Sequence, residues 1–190
     1  MIKVIDNFFK KEDQDFLEET LCIDLNNQFP WFLAHTANYI PDNYTSGIKV
    51  NSGLPFEKDY HQFCHTFYVE EKGNSMHWPR LEKMYKSNKA IKIKSFFRVK
   101  ANLNVQIIGA NEETHGSLHS DYPGNIYTSV LYYVNDSDGD TLFFDNHRKV
   151  IKRVRPKKGR AVVFDSNTLH AASPPLNCRF RVVVNCIFKH

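Results

Sequence analysis

The second half of the chain consists of short apolar segments that recur at close intervals and are separated by turn signals. The first segment, 98–107, alternates polar and apolar side chains, as a long half-buried strand does. Segments rich in β-branched and aromatic residues follow at 126–134, 141–144, 150–154, 161–164 and 180–188. This succession predicts an all-β sandwich or barrel of roughly eight strands. The polar face of 98–107 fits either solvent or the lining of a cavity.

The first half of the chain has mixed periodicity. Apolar residues at three- and four-residue spacing predict helices over 12–25 and 56–69, and a proline opens a third predicted helix over 79–86. Short extended segments are predicted at 2–5, 30–33 and 37–40, with a loop over 41–55. We therefore expect a mainly β (α+β) fold in a single domain, 1–190. Its helical N-terminal part, 1–90, would pack outside a β core over 91–190.

Composition limits the classes of partner. The chain has 190 residues and a net charge of +4, and the segment 147–160 holds eight Lys and Arg and no acid. Such a segment attracts polyanions, so nucleic acid is a candidate partner, but a solvated hairpin is the simpler interpretation and nucleic acid is not favoured. No run of 18 apolar residues is present, so we expect no membrane span. The oligomeric state is left open.

The cysteines indicate a compartment. Cys22, Cys64, Cys178 and Cys186 are scattered and form no CxxC pair. The start of the chain lacks the apolar stretch of a signal peptide. We therefore expect reduced cysteines and a cytoplasmic location.

Three residues have the side chains of a metal site. His119 and Asp121 are separated by one residue, so in an extended chain both side chains point to one side and can bind one ion. Together with His170 they form the set that binds non-haem Fe(II) on one face and leaves other positions open. Taken alone, His119-x-Asp121 is equally typical of a turn. A second pair, His61 and His65, has no carboxylate at ligand spacing nearby, and we expect no metal there.

Two arginines follow His170 at the edge of an otherwise apolar segment. Arg179 and Arg181 would share one strand face with Val183 and Asn185. Arginines in such a run are seldom buried without an anion, and a guanidinium binds a carboxylate through two parallel hydrogen bonds. An ion pair with a neighbouring strand is the alternative. The pattern predicts an anion site near the metal site.

Several motifs now point to one family. The order of the His-x-Asp pair, the distal histidine and the arginine is accompanied by three strand motifs: Leu-Tyr-Tyr-Val-Asn at 131–135, Asp-Gly-Asp-Thr-Leu-Phe-Phe at 138–144, and Val-x-Pro-x-x-Gly-Arg-x-Val-x-Phe at 154–164. The matched blocks run from about 98 to 188. This combination resembles the Fe(II)/2-oxoglutarate-dependent dioxygenases, in particular the prolyl-hydroxylase-like group in its short bacterial and phage form. The resemblance implies a double-stranded β-helix, the cupin-like jelly roll.

The resemblance also implies roles for individual residues. The iron ligands would be His119, Asp121 and His170. The distal carboxylate of 2-oxoglutarate would be bound by Arg181, with Arg179 as the second choice, together with Tyr133 and either Asn104 or Gln106. The implied cofactors are Fe(II), 2-oxoglutarate and O2, and ascorbate is a candidate reductant.

The implied reaction is hydroxylation of an unactivated C–H bond in a peptide residue or a small molecule, with release of succinate and CO2. Two other functions fit the sequence: a nucleic-acid-modifying oxygenase that uses 147–160, and a non-catalytic cupin-like protein that binds metal or ligand. The chain has arginine where the collagen-type enzymes use lysine, and Asp140 replaces a glycine of their turn. These departures weaken the case for proline as the substrate.

Overall fold

Two antiparallel sheets, one large and one small, form the framework of the protein. The computed structural model describes residues 1–23, 29–34, 61–124 and 126–190. The large sheet has the strand order β1-β9-β6-β11-β5-β3-β2, with β4 paired to β3, and the small sheet has the order β10-β7-β8. Their strands are β1 (Lys3–Ile5), β2 (Phe32–Ala34), β3 (Gln62–Val69), β4 (Lys72–Gly73), β5 (Ser95–Val105), β6 (Thr128–Tyr133), β7 (Thr141–Phe144), β8 (Val150–Val154), β9 (Ala161–Asp165), β10 (His170–Ala172) and β11 (Phe180–Lys189).

Two helices cover the outer face of the large sheet. Helix α1 spans Lys11–Glu18 and continues as a π-helical turn over Glu19–Ile23, and α2 spans Trp78–Ser87. Phe9, Tyr85 and Tyr132 pack together beneath them, with ring centroids 4.8–5.1 Å apart for Phe9 against each tyrosine. The aromatic residues of both helices and of the sheet thus form the larger hydrophobic cluster.

The opposite face of the large sheet forms a second, smaller cluster against the small sheet. On β6, Tyr132 belongs to the outer cluster, whereas Leu131 and Tyr133 belong to the inner one, as the two-residue period of a strand requires. Phe143 from the small sheet packs on Phe164 from the large sheet with centroids 5.0 Å apart. A mainly β jelly-roll framework with helices outside is confirmed.

The helix predicted over 56–69 is wrong where the structure describes it. Gln62–Val69 is strand β3, which pairs with β5 from Phe63 to Val69. The large sheet therefore extends into the predicted helical part, 1–90, because β1, β2, β3 and β4 all belong to it. The helix predicted over 79–86 is confirmed, and so is the helix predicted over 12–25 in its described part, 12–23. The predicted segment 37–40 and loop 41–55 lie outside the described residues.

Within the described ranges, no helix has both the length and the apolar character needed to cross a membrane.

Candidate active site

His119, in the segment between β5 and β6, lies beside His170, the first residue of β10. These residues form an isolated antiparallel bridge, in which each backbone N–H donates to the other residue's carbonyl, at 3.0 and 2.9 Å. Asp121 follows two residues after His119 and turns its carboxylate toward the same point. Ligand atoms of all three side chains lie within 4.8 Å of one another, and His170 Nε2 is 4.0 Å from Asp121 Oδ2.

Both imidazoles are oriented by backbone carbonyls. Nδ1 of His119 lies 3.1 Å from the carbonyl oxygen of Ser117, and Nδ1 of His170 lies 2.9 Å from that of Thr168. Because a carbonyl can only accept, each Nδ1 carries a hydrogen, which leaves Nε2 of each ring as the available ligand atom. Burial, reinforced by the neighbouring His170, lowers the pKa of His119. The neutral form that metal binding needs is therefore favoured for this residue.

The Asp121 carboxylate is held by two hydrogen-bond donors. Ser129 Oγ donates to Oδ2 at 2.6 Å, and Asn185 Nδ2 donates to Oδ1 at 2.7 Å. Ser129 in turn lies 2.9 Å from Ser166 Oγ. Burial raises the pKa of Asp121, but His170 and Arg98 lower it by more, so the group is ionised.

Two imidazoles and one ionised carboxylate fit Fe(II). The donor set is the two-histidine, one-carboxylate combination of non-haem iron oxygenases. Among the described residues it is the one group of His, Cys, Asp and Glu whose geometry could hold a metal ion. His65, which could have formed a rival site, instead places Nδ1 2.9 Å from the carbonyl of Pro30.

Arg181 lies on the same pocket wall as the metal-binding triad. Its side chain is only 2% exposed, Nη1 donates to Asn104 Oδ1 at 3.1 Å, and Nη2 donates to Thr141 Oγ1 at 2.7 Å. Its Nε has no partner, and within the described ranges no carboxylate pairs with it. The Tyr133 ring lies 5.6 Å from the guanidinium, and the Tyr133 hydroxyl donates to Thr141 at 2.7 Å. A buried guanidinium with an unpaired Nε is suited to binding an anionic ligand.

Three predicted co-substrate contacts lie outside the pocket lining, and one of them, Tyr133, is connected to it through its hydrogen bond to Thr141. Arg179 precedes β11 and is exposed, and its carbonyl accepts a hydrogen bond from the backbone N–H of Gln106 at 3.1 Å. Gln106 is exposed as well, and its side chain donates to the carbonyl of Leu176. Of these candidates, the preferred Arg181 and also Asn104 line the pocket, whereas Arg179 and Gln106 do not.

The polar face of β5 lines the pocket. Arg98, Lys100, Asn102 and Asn104 project into it, so the cavity-lining interpretation of the alternating segment is correct. Arg98 Nη2 lies 3.8 Å from Asp121 Oδ1. Burial, with repulsion from Arg98, lowers the pKa of Lys100 to about 8.

The turn before β7 positions Arg181 from the other side. Asp138 accepts backbone hydrogen bonds from Leu176, Asn177 and Cys178, which fixes the loop that leads into β11. Burial raises the pKa of Asp138, but these bonds outweigh it and bring the pKa to about 2. At Gly139 an added Cβ would lie 2.7 Å from the Ser173 carbonyl oxygen and 3.2 Å from Arg181 Cδ, so only glycine lets the turn approach this closely.

Residues 103–189 match the model of the 2OG-Fe(II) oxygenase superfamily. The matched segment includes both histidines and Asp121 as well as Tyr133 and Arg181. This segment is similar to the 2OG-Fe(II) oxygenases. The enzyme class predicted from the sequence, a 2-oxoglutarate-dependent non-haem iron dioxygenase, is confirmed, and Fe(II) and 2-oxoglutarate are the cofactors that the family implies.

Solved structures share the fold. A Pseudomonas putida prolyl-4-hydroxylase is 13% identical with a TM-score of 0.58, over 100% of this chain and 92% of that one. A Trichoplax adhaerens prolyl hydroxylase, solved with a hypoxia-inducible-factor peptide, is 14% identical with a TM-score of 0.60, over 99% and 83%. The carbocyclase SnoK of nogalamycin biosynthesis is 8% identical with a TM-score of 0.62, over 99% and 79%. At these identities the likeness shows the fold. A comparison with curated protein sequences gives no match.

Four residues of the site were not assigned from the sequence. Ser129 and Thr141 gave no signal, because each lies in an ordinary strand segment and its role depends on a partner far along the chain. Asn185 interrupts a run of valines, and that interruption is the signal that could have identified it. Lys100 belongs to the alternating segment but was not distinguished from its polar neighbours.

Proposed function

We propose that the protein hydroxylates an unactivated C–H bond in a peptide residue or a small molecule. The reaction would couple this hydroxylation to the conversion of 2-oxoglutarate and O2 into succinate and CO2, with ascorbate keeping the metal reduced. The observation that carries the proposal is the buried Arg181 guanidinium, which faces the same pocket as the His119–Asp121–His170 cluster and has no carboxylate partner in the described part of the chain.

In this proposal, iron is held by Nε2 of His119 and His170 and by the Asp121 carboxylate. Iron bound there would supply the activation of O2 that no amino-acid side chain can provide. The donors Ser129 and Asn185 keep the carboxylate oriented and ionised.

Arg181 would bind the distal carboxylate of 2-oxoglutarate. Its two Nη atoms are already aimed by Asn104 and Thr141, so little side-chain freedom is lost when an anion arrives. Tyr133 supports the same corner through Thr141. The co-substrate would therefore be oriented by a preformed group of side chains between the sheets.

The basic segment 147–160 has internal partners for several of its charges. Lys158 pairs with Asp15 at 2.6 Å, Arg160 with Asp6 at 2.6 Å, and Arg153 lies 3.6 Å from Asp140. These contacts support the solvated-hairpin interpretation, and nucleic acid is not part of the proposal. A cytoplasmic location stays part of the proposal, on the basis of the scattered cysteines in the sequence.

The test is turnover of 2-oxoglutarate by purified protein loaded with Fe(II). We expect slow formation of succinate, which Asp121→Ala abolishes because the carboxylate ligand is lost. Lys89→Ala, at an exposed turn after α2, is the matched control and should leave turnover unchanged. Absence of both 2-oxoglutarate binding and succinate in the wild-type protein would refute the proposal.

A further inference from the structure

The pocket has more positive charge than iron and 2-oxoglutarate require. Its lining includes three cations, Arg98, Lys100 and Arg181, and a single carboxylate, Asp121. Fe(II) and the 2-oxoglutarate dianion would cancel each other's charge. The loaded pocket would therefore keep an excess of positive charge on the β5 side, where Arg98 and Lys100 lie.

Arg98 is not explained by its contact with Asp121. The distance of 3.8 Å is long for an ion pair, and Asp121 already accepts shorter bonds from Ser129 and Asn185. The Arg98 Nε atom is buried without a hydrogen-bond partner. Once Asp121 bound a metal dication, its attraction for Arg98 would weaken further.

Lys100 lies beside Arg98 on the same strand face. No hydrogen bond or ion pair to its ammonium is found in the parts of the chain that the structure describes. The neighbouring Asn102 Oδ1 is also buried without a partner. Two adjacent cations with unused donors, next to an unused acceptor, form a site prepared for a ligand rather than a self-contained cluster.

This second cationic position is separate from the Arg181 position. In the β5–β11 register, Arg181 is opposite Asn104 and Lys100 is opposite Asn185. Lys100 and Asn104 are four residues apart, which places them about 13 Å apart along an extended strand. The distal carboxylate of a 2-oxoglutarate molecule bound to Arg181 would therefore lie at a different part of β5 from Arg98 and Lys100.

We propose that Arg98 and Lys100 bind a carboxylate of the primary substrate and so select an acidic molecule for oxidation. The proposal rests on the proposed oxygenase function. The carboxylate could belong to a free amino acid or other small acid, or to an aspartate or glutamate side chain of a peptide. Either source would bring a C–H bond near the carboxylate to the metal side of β5, because Arg98 lies next to Asp121.

The experiment uses the full chain loaded with Mn(II) and saturated with 2-oxoglutarate. Calorimetric titrations compare L-glutamate and L-aspartate with L-glutamine and L-asparagine, and acidic tripeptides with their amide counterparts. We expect one acidic series to bind at least about tenfold more tightly than its amides, as one charge-assisted contact provides. The better series identifies the source of the carboxylate, and with Fe(II) in place of Mn(II) the same probe should accelerate succinate formation.

Variants assign the effect to the two residues. Lys100→Met and Arg98→Met should each weaken the binding of the acidic probe about tenfold or more. Lys100→Arg keeps the positive charge and should keep most of the affinity for the probe. The exposed Lys89→Met is the matched control. Unchanged 2-oxoglutarate affinity in every variant shows that each one folds with an intact co-substrate site.

Three results would overturn this inference and leave the proposed oxygenase function intact. The first is that no acidic probe binds to the loaded wild-type protein, and the second is that amides bind as tightly as acids. The third is that Lys100→Met weakens the binding of 2-oxoglutarate instead of the binding of the probe. If the proposed oxygenase function itself is wrong, an earlier titration shows it, because 2-oxoglutarate would not bind to the metal-loaded wild-type protein. That result would overturn both.

Discussion

Replacing Arg181 by methionine should separate the stability of this protein from its function. The guanidinium is 2% exposed and would form a two-pronged, charge-assisted contact with the co-substrate carboxylate. Each such hydrogen bond contributes about 1.5–3 kcal/mol. Loss of the pair therefore predicts a 2-oxoglutarate dissociation constant that rises roughly 100-fold or more, since 1.4 kcal/mol is about tenfold.

The stability of the co-substrate-free protein should change little. Arg181→Met removes a buried cation that has no carboxylate partner in the described chain, and a buried charge of this kind opposes folding. It also removes one hydrogen bond to Asn104 and one to Thr141, but Thr141 keeps its bond from Tyr133. With about 1 kcal/mol for each lost bond set against the relief of the buried charge, we expect a net change within about 1 kcal/mol.

The assays are urea unfolding without ligands and calorimetric binding of 2-oxoglutarate to the Mn(II)-loaded protein. Arg179→Met is the matched control, because Arg179 is exposed and outside the pocket lining, and it should change neither quantity. A loss of more than about 3 kcal/mol of stability with normal 2-oxoglutarate affinity would contradict the assignment and give Arg181 a structural role instead.

Three further substitutions test the surroundings of the site. Gly139→Ala places a Cβ 2.7 Å from the Ser173 carbonyl oxygen, so we expect a loss of about 1–3 kcal/mol in urea unfolding together with weaker 2-oxoglutarate binding. Asp138→Asn removes a carboxylate whose pKa is lowered to about 2, a group that stabilises the fold above about pH 4 and loses this effect as pH falls toward 2. The variant should therefore be less stable at pH 7, with the difference from wild type narrowing in unfolding curves below pH 4. Asn185→Leu removes the 2.7 Å donor to Asp121 and should weaken Mn(II) affinity about 10–100-fold in a chelator competition.

The sequence predicts the β framework well where one face of a strand is polar and the other apolar. The segment 98–107 alternates over ten positions, and its residues 98–105 lie in β5 with their polar face in the pocket. The helix predicted over 56–69 was wrong because Phe63 and Phe67 fit a helical spacing and a strand spacing equally well. Pairing of β3 with β5, a contact between distant parts of the chain, decides between them.

In the candidate site, too, some residues could be predicted from the sequence and others depend on contacts between distant parts of the chain. Residues defined by order and type were predictable: His119, Asp121, His170 and Arg181 come together as expected from their motifs. Residues defined by register were not, because a change of one position in the β5–β11 pairing would turn Asn185 away from Asp121. Arg179 is exposed and Arg181 is buried because β11 begins between them, at Phe180. The sequence does not define this starting point.

The metal-binding side chains are positioned by the backbone and therefore do not need a metal to assemble. His119 and His170 share two backbone hydrogen bonds, and each Nδ1 is also fixed by a carbonyl, so neither ring can rotate without losing a bond. His170 also packs on Phe164 of the smaller hydrophobic cluster, with ring centroids 5.0 Å apart. Small zinc domains, by contrast, fold only when the metal binds. Here metal binding should add stability only by mass action, so loss of activity in a ligand variant reports lost chemistry rather than an unfolded chain.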